Sequence, residues 1–173
     1  GIFNVIPGLG CEAGKELALH NHVRGIFFTG STDIGKKIMQ YAGFSNLKRV
    51  GLECGGKSPY IVSKKCSNLQ RAAKVLAKNI FYNQGQICSA PSKLLVHSSI
   101  KLDFVKFLIK ESEAYIPSDP LSNESEVGAL ISNEHKKKSE GIINQGVKNG
   151  AKIMNSAQHV DPIAGGAYLP PMI

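Results

Sequence analysis

The chain has 173 residues, of which 42% are hydrophobic, and its mean hydropathy is -0.09. This length and composition are typical of a soluble globular chain with a sizeable apolar core, and they exclude a disordered tail. No stretch approaches the ~18 consecutive apolar residues that a transmembrane helix needs. The first residues also lack the basic and apolar regions of a signal peptide. We therefore expect no membrane association.

The charge balance favours anionic ligands. The sequence has 21 Lys and Arg against 13 Asp and Glu, a formal net charge of +8. These cations are scattered from Lys15 to Lys152 and Trp is absent, so a nucleic-acid-binding module remains a weak alternative. The cysteines show no CxxC pair and no zinc-finger spacing, which predicts free thiols, no metal site and a reducing, cytoplasmic compartment. They are Cys11, Cys54, Cys66 and Cys88.

Hydrophobic periodicity predicts strands that alternate with helices. The predicted strands are 25–29, 49–52, 60–62 and 94–96, with a further candidate at 151–154. The predicted helices are 12–20, 36–42, 68–82, 102–115 and one capped by Ser132 that runs to Asn149. This order predicts an α/β fold with an open, mostly parallel sheet flanked by helices.

A glycine-containing loop lies between the first predicted strand and the helix at 36–42. It reads Gly30-Ser31-Thr32-Asp33-Ile34-Gly35, and such a loop lets backbone amides approach a phosphate. Lys37 stands where a Walker A loop has its Mg²⁺-binding Ser or Thr, so we reject a nucleoside triphosphatase. By itself the loop is equally compatible with an ordinary strand-to-helix turn.

Two further positions are candidates for chemistry. Glu53 is predicted at the end of a strand, close to the pair Gly55-Gly56, where water or a ligand could reach its carboxylate. An isolated Glu is nevertheless more often an ordinary surface residue. Cys88 follows a Gly-containing loop, where both its sulfur and its amide could face a cleft, whereas a lone Cys is usually a buried small hydrophobe. Cys11 and Cys66 have no such setting. The reactivity of Cys54, next to Glu53, stays open.

The order and spacing of these segments resemble the aldehyde dehydrogenase superfamily. The loop at 30–35 is followed by Glu53-Cys54-Gly55-Gly56-Lys57-Ser58-Pro59 and then by Asn83-Gln84-Gly85-Gln86-Ile87-Cys88, with 35 residues from the Glu to the Cys. The resemblance covers essentially the whole chain. The stretches 66–70 and 81–86 are most similar to the γ-glutamyl-γ-aminobutyraldehyde dehydrogenase branch.

The resemblance implies oxidation of an aldehyde to a carboxylic acid with NAD or NADP. Cys88 would be the nucleophile, passing through a thiohemiacetal and a thioester, and its amide would stabilise the alkoxide. Glu53 would be the general base for hydrolysis. Gly30, Ser31 and Gly35 would contact the pyrophosphate and Gly10 the adenosine. Lys138 would be near the cofactor or an ordinary solvated charge, and Lys57 would be structural.

The resemblance also implies a domain organisation and partners. Residues 1–52 would be the C-terminal part of an NAD(P)-binding domain, and 53–173 most of a catalytic domain, the chain being incomplete at both ends. The implied partners are a small-molecule aldehyde and copies of the chain in a dimer or tetramer, with no nucleic acid and no membrane.

Alternatives remain. One is a catalytically inactive fragment or pseudoenzyme, because family segments that carry an oxyanion-stabilising Asn and the ribose-binding residues have no counterpart in this sequence. Another is a Cys/His hydrolase, which would need His97, His135 or His159 beside Cys88.

Overall fold

The computed structural model describes residues 1–155 and 162–173, which form two compact units. The first unit is Gly1–Gly56 and the second is Lys57–Ile173. Glu53 was predicted to open the second domain, but it lies in the last strand of the first unit. The roles predicted for 1–52 and 53–173 stay predictions.

The first unit contains two parallel strands and two helices. A π-helical turn, Gly10–Gly14, leads into α1, Lys15–Leu19. Strand β1 is Gly25–Gly30, helix α2 is Thr32–Phe44, and strand β2 is Arg49–Cys54. The strands pair in parallel from Gly25 opposite Arg49 to Gly30 opposite Cys54.

Helix α2 begins four residues before its predicted start at residue 36, so the predicted turn at 30–35 is wrong. The hydroxyl of Ser31 accepts a hydrogen bond from the N–H of Ile34 at 3.3 Å and caps the helix. Such a cap satisfies one of the amides that a helix start leaves without a partner. The glycine-containing loop is therefore mostly the first turn of a helix.

A buried lysine joins the ends of the two helices. The ammonium of Lys48, which is 6% exposed, donates to the carbonyl of Ala18 at 2.5 Å and to the hydroxyl of Ser45 at 2.6 Å. Ser45 in turn donates to the carbonyl of Tyr41 at 2.9 Å. Ala18 lies in the last turn of α1, and Ser45 directly follows α2. Because helix C-termini carry partial negative charge, one cation stabilises both ends.

The second unit contains a second pair of parallel strands and three helices. Strands β3, Pro59–Val62, and β4, Lys93–Val96, pair along their whole length. The helices are α3, Leu69–Phe81; α4, Lys101–Ser112; and α5, Asn133–Lys148. Short 3-10 turns occupy Tyr82–Gly85, Ser98–Ile100 and Glu113–Tyr115. The strand considered for 151–154 is absent, although Met154 donates a backbone hydrogen bond to the carbonyl of Ile173.

The core of the second unit lies between the strands and helices α3 and α4. Its fully or nearly fully buried members are Val62, Ala73, Leu76, Ala77, Phe104 and Leu108. Tyr60 packs against this core, and its hydroxyl donates to the carbonyl of Ala72 at 3.1 Å. Burial, with a smaller contribution from Cys66, raises the pKa of Tyr60. The packing fixes α3 against the strands, and with it the position of the loop that follows α3.

The predicted fold class is confirmed: the chain is α/β, with parallel strands flanked by helices. Within the described residues the strands form two separate pairs, one in each unit. No helix in residues 1–155 or 162–173 is long and apolar enough to cross a bilayer.

Replacing Lys48 by Met should destabilise the first unit. The substitution removes both donated hydrogen bonds and leaves the carbonyl of Ala18 with only the longer hydrogen bond from the Ser45 hydroxyl at 3.4 Å, which we expect to cost about 2 kcal/mol. Urea unfolding followed by circular dichroism measures the loss. Lys36→Met on the exposed side of α2 is the control, and an equal effect of the two variants would contradict this account.

Candidate active site

Cys88 lies at the tip of a tight turn and its side chain is exposed. The turn runs from Ile87 to Ala90 and is closed by a hydrogen bond from the N–H of Ala90 to the carbonyl of Ile87 at 3.0 Å. Ala90 is buried and anchors the turn, whereas Cys88 and Ser89 occupy its two corner positions. The thiol is therefore open to solvent and to a small electrophile.

The backbone before this turn adopts an unusual conformation. Asn83, Gln84 and Gly85 have φ values of 50°, 53° and 73°. Left-handed backbone costs about 1–2 kcal/mol at each residue other than Gly. Asn83 and Gln84 therefore keep this conformation, which reverses the chain together with Gly85, only where other contacts stabilise it. The amide of Gln86 donates to the carbonyl of Asn83 at 3.0 Å, and its side chain donates to Gln84 at 3.1 Å.

The amide of Cys88 is available to a ligand. Residues at the first corner of a tight turn direct their N–H outward, and the parts of the chain that the structure describes provide no hydrogen bond to this one. A thiol and a free amide on one residue can act on the same carbonyl group, since the sulfur attacks the carbonyl carbon while the N–H donates a hydrogen bond to the carbonyl oxygen.

An apolar pocket of about 460 Å³ lies against the inner side of this loop, where Gln84, Gly85 and Ala90 contribute to its lining. Tyr115 lines it too, with its ring 5.9 Å from that of Phe81. Burial raises the pKa of Tyr115, and nearby Glu126 and Glu111 raise it further. Tyr115 therefore stays neutral at physiological pH.

Glu53 is exposed near the C-terminal end of β2. Side chains alternate along a strand, so Leu52 and Cys54 face the other way. Both face α2: a Cβ atom built on Gly35 would lie 3.3 Å from Leu52 and 3.2 Å from Cys54. Cys54, whose reactivity the sequence left open, is thus a packing residue on the opposite face from Glu53.

The face of β1 and β2 that carries Glu53 is open in this chain. Thr29 is opposite Glu53 in the strand register, and Phe27 covers Gly51 on the same face while remaining 84% exposed. A carboxylate in such a position can reach a water molecule or a ligand. Its predicted role as a general base stays a prediction.

The predicted pyrophosphate residues cluster at the start of α2. Gly30 is the last residue of β1, and Ser31 is the N-cap. The ring of Phe28 covers Gly30 so closely that a Cβ atom there would collide with it. Gly35 is buried against β2, which gives it a packing role of its own. Direct contact of these residues with a phosphate stays a prediction.

Gly10 lines a groove of about 580 Å³ between the helices of the first unit. The lining is mainly apolar and comes from the π-helical turn, α1, β1 and α2. It consists of Gly10, Cys11, Gly14, Lys15, Leu17, Ile26, Phe27, Phe28, Ile34, Lys37, Ile38 and Tyr41. A cleft of this size and character suits a planar, weakly polar group such as a nucleobase. Sequence reasoning counted Lys15 among the scattered cations and used Lys37 only to reject a Walker A loop, so it predicted no groove lining for either residue.

The remaining candidates lie outside the Cys88 turn and outside the lining of the groove. Lys57 and Lys138 are exposed. His97 caps a 3-10 turn by accepting from the N–H of Ser99 at 3.2 Å, and His135 lies in the first turn of α5. His159, the third histidine considered for a hydrolase, lies outside the described residues. Among the residues that are described, no group of three or more His, Cys, Asp or Glu could hold a metal ion.

Comparisons of the sequence and of the structure with known proteins point to the same family. Residues 1–173 match the aldehyde dehydrogenase family. The chain is 42% identical over 155 residues to the NADP/NAD-dependent aldehyde dehydrogenase PuuC of Escherichia coli (strain K12), covering 90% of this chain and 31% of that protein.

Two solved structures resemble this chain in both sequence and fold. The γ-glutamyl-γ-aminobutyraldehyde dehydrogenase from Burkholderia cenocepacia J2315 is 46% identical with a TM-score of 0.92, over 99% of this chain and 34% of that one. The aldehyde dehydrogenase KauB from Pseudomonas aeruginosa is 43% identical with a TM-score of 0.94, over the same shares.

This chain, an α/β protein with an exposed cysteine after a left-handed loop, belongs to the aldehyde dehydrogenase family. It spans about a third of the length of the relatives it matches. The resemblance inferred from the sequence motifs is confirmed, including the likeness to the γ-glutamyl-γ-aminobutyraldehyde dehydrogenase branch.

Replacing Gly85 by Ala should disturb the Cys88 loop. A Cβ atom at φ +73° is strained, and it would lie 3.0 Å from the carbonyl oxygen of Ile80, so we expect a loss of about 1–3 kcal/mol and a changed alkylation rate at Cys88. Gly141→Ala, which meets no atom within 4 Å inside α5, should instead stabilise slightly. Urea unfolding and iodoacetamide kinetics measure both, and equal behaviour of the variants would refute the role assigned to the loop.

The four thiols should differ in accessibility. Cys11 and Cys88 are exposed, whereas Cys54 and Cys66 are half-buried. Under native conditions iodoacetamide should therefore modify the first two before the others, as measured by peptide mass spectrometry over time. Urea should abolish the difference. Early modification of Cys54 would contradict its packing against α2.

Proposed function

We propose that the whole protein oxidises aldehydes to carboxylic acids with NAD or NADP as hydride acceptor. The observation that carries this proposal is the exposed Cys88 thiol, which shares a turn corner with a free amide after the strained Asn83–Gly85 backbone. Membership of the aldehyde dehydrogenase family supports it.

Cys88 starts the proposed reaction. Its sulfur, once deprotonated, forms a bond to the carbonyl carbon of the aldehyde, and the carbonyl oxygen becomes an alkoxide. The amide N–H of Cys88 donates to that oxygen as its charge develops. A nicotinamide cofactor, when bound, would supply the hydride acceptor. Loss of a hydride from the former aldehyde carbon would then leave the acyl group attached to Cys88 as a thioester.

Glu53 completes the proposed reaction. Its carboxylate takes a proton from a water molecule, whose oxygen attacks the thioester carbon. The carbon–sulfur bond then breaks, which releases the carboxylic acid and restores the thiol. The exposure of Glu53 at a strand end is compatible with this role, and its pairing with Cys88 is part of the proposal.

The first unit would hold the cofactor. The start of α2, with its Ser31 cap, favours an anion because backbone amides and the positive end of the helix dipole point there, so it suits a pyrophosphate. Gly30 and Gly35 keep this helix start close to the strands, and the groove that begins at Gly10 suits the adenosine. The name of PuuC, a relative that is NADP/NAD-dependent, supports a nicotinamide cofactor.

We extend the proposal to the substrate, compartment and assembly. Likeness to the Burkholderia cenocepacia enzyme supports an aldehyde of the γ-glutamyl-γ-aminobutyraldehyde type. Four free cysteines are compatible with a reducing, cytoplasmic compartment. Assembly into a dimer or tetramer is carried over from the family resemblance and is testable by light scattering.

A catalytically inactive relative of the same family is the alternative that this proposal must be tested against. The two candidates differ in one measurement: an aldehyde and NAD or NADP should produce reduced cofactor and a transient acyl adduct on Cys88 only if the first is correct. Intact mass spectrometry after rapid acid quench detects that adduct.

Substitutions at Cys88 and Glu53 should have distinct kinetic effects. Cys88→Ala should lower turnover by at least about 10⁴-fold, because the nucleophile is lost. Glu53→Gln should lower steady-state turnover about a hundredfold or more while keeping a burst of one reduced cofactor per Cys88, because only thioester hydrolysis is slowed. Cys66→Ala is the control for loss of a thiol and should remain active. A Glu53→Gln variant without a burst would assign this carboxylate to an earlier step.

A further inference from the structure

We propose that Tyr115 is a positioning residue for Cys88: its ring supports Phe81 at the end of α3, and this helix end supports the loop that carries the thiol. The inference rests on the proposed function, because it takes the thiol and the amide of Cys88 as the groups that act on a carbonyl. Tyr115 lies 27 residues further along the chain than Cys88 and outside the motifs that indicate the family.

The rings of Tyr115 and Phe81 pack against each other. Their centroids are 5.9 Å apart with 37° between the ring planes, and both side chains lie half-buried against the core of the second unit. Phe81 is the last residue of α3, and Tyr115 ends the 3-10 turn that follows α4. Aromatic pairs at this separation add stability beyond the burial of their surface. The pair therefore joins the end of α3 to the end of α4.

Tyr115 is itself held on both sides along the chain. Ser112, three residues before it, is only 3% exposed, and Pro117, two residues after it, is fully buried. Neighbours packed this closely leave the backbone of the 3-10 turn little freedom to move. The ring of Tyr115 is therefore a fixed support for Phe81.

The last turn of α3 is the surface against which the Cys88 loop packs. The carbonyl oxygen of Ile80 lies 3.0 Å from the position that a Cβ atom would take at Gly85, so the loop and the helix end are in close contact. A shift of the helix end would therefore move the left-handed run Asn83–Gly85. The turn that carries Cys88 follows this run directly, so it would move as well.

The inner side of the loop faces a cavity. The apolar pocket of about 460 Å³ is lined by Phe81 and Tyr115 and also by Gln84, Gly85 and Ala90. Removing the ring of Tyr115 would enlarge this space, and the last turn of α3 could then shift into it. The thiol at the tip of the turn would stay exposed after such a shift, whereas the direction of the Cys88 amide depends on the backbone of the turn.

A second tyrosine packs against the same core at the other end of α3. Tyr60 is half-buried, and its hydroxyl donates to the carbonyl of Ala72, in the first turn of the helix, at 3.1 Å. Burial is the main cause that raises the pKa of both Tyr60 and Tyr115. The two residues thus have similar surroundings but contact opposite ends of α3. Only the end that Tyr115 supports leads directly into the Cys88 loop.

The test compares two electrophiles that differ in what they need from Cys88. p-Nitrophenyl acetate transfers its acetyl group: a carbon–sulfur bond forms, the bond to the p-nitrophenolate oxygen breaks, and the thiol proton goes to water. Its carbonyl oxygen becomes negatively charged on the way, so the Cys88 amide accelerates this reaction. Iodoacetamide is attacked at a saturated carbon and forms no oxyanion. The ratio of the acetylation rate to the alkylation rate therefore reports on the amide, because the exposure of the thiol affects both rates.

Both rates are measured by peptide mass spectrometry in the full 173-residue chain and in Tyr115→Leu, Phe81→Leu, Tyr115→Phe and Tyr60→Leu. Phe81→Leu removes the other ring of the pair and serves as a second, independent variant. Tyr60→Leu is the matched control, since it removes a ring from the same core. Cys11, an exposed thiol of the first unit, is the reference for Cys88 in every sample. Urea unfolding followed by circular dichroism gives the stability of each variant.

We expect the ratio at Cys88 to fall about tenfold in Tyr115→Leu and in Phe81→Leu, which is less than the roughly 100-fold cost of removing an oxyanion donor completely. Tyr115→Phe keeps the ring and should retain the ratio. Tyr60→Leu should retain it too, even where its stability falls as far as that of Tyr115→Leu. The ratio at Cys11 should be lower than at Cys88 and equal in all variants.

Two kinds of result would overturn the inference. An unchanged ratio at Cys88 in both Tyr115→Leu and Phe81→Leu, or an equal fall in Tyr60→Leu, would show that Tyr115 has no positioning role, and the proposed function would stand. Equal ratios at Cys88 and Cys11 in the unsubstituted chain would show that the Cys88 amide does not assist acyl transfer. That outcome would reject the part of the proposed function that uses this amide, together with the inference.

Discussion

The active-site hypothesis depends on one backbone constraint, the left-handed run Asn83–Gly85. This run ends α3 and reverses the chain within a few residues, so that Cys88 reaches the tip of a turn instead of the packed interior. Its conformational cost is offset by the packing of α3 against the strands and α4 and by the hydrogen bonds of Gln86. Strain of this kind persists only where the surroundings enforce it. The exposed thiol and the free amide both follow from that enforced reversal.

The two units divide the proposed chemistry between them. Cys88 belongs to the second unit, while Glu53 and the groove belong to the first. In the first unit one buried ammonium, that of Lys48, joins the ends of α1 and α2, which are also the helices that line the groove. The interaction that stabilises this unit therefore also shapes its binding surface. Two other lysines then give that surface a positive charge.

The sequence predicted most elements because their patterns are local. The apolar periodicity of α3 placed that helix within a residue of its observed bounds, and Asn68, predicted as its first residue, is its N-cap. The start of α2 was misplaced because a Ser-Thr-Asp segment after Gly30 is typical of both a loop and a capped first turn. The strand proposed for 151–154 was wrong because a strand needs a ladder of hydrogen bonds with a partner. Within the described residues this segment forms only isolated ones, from Ala151 to the carbonyl of Gly146 and from Met154 to that of Ile173.

The sequence by itself determined the family and the candidate residues, since the order of Gly30, Glu53 and Cys88 motifs and the spacing between them is a property of the chain alone. Tertiary structure decided which cysteines are exposed, that Cys54 faces α2, and that Lys15 and Lys37 line one groove. The physical reason is that exposure and juxtaposition depend on how distant segments pack. Two lysines 22 positions apart line one groove only when their helices lie side by side.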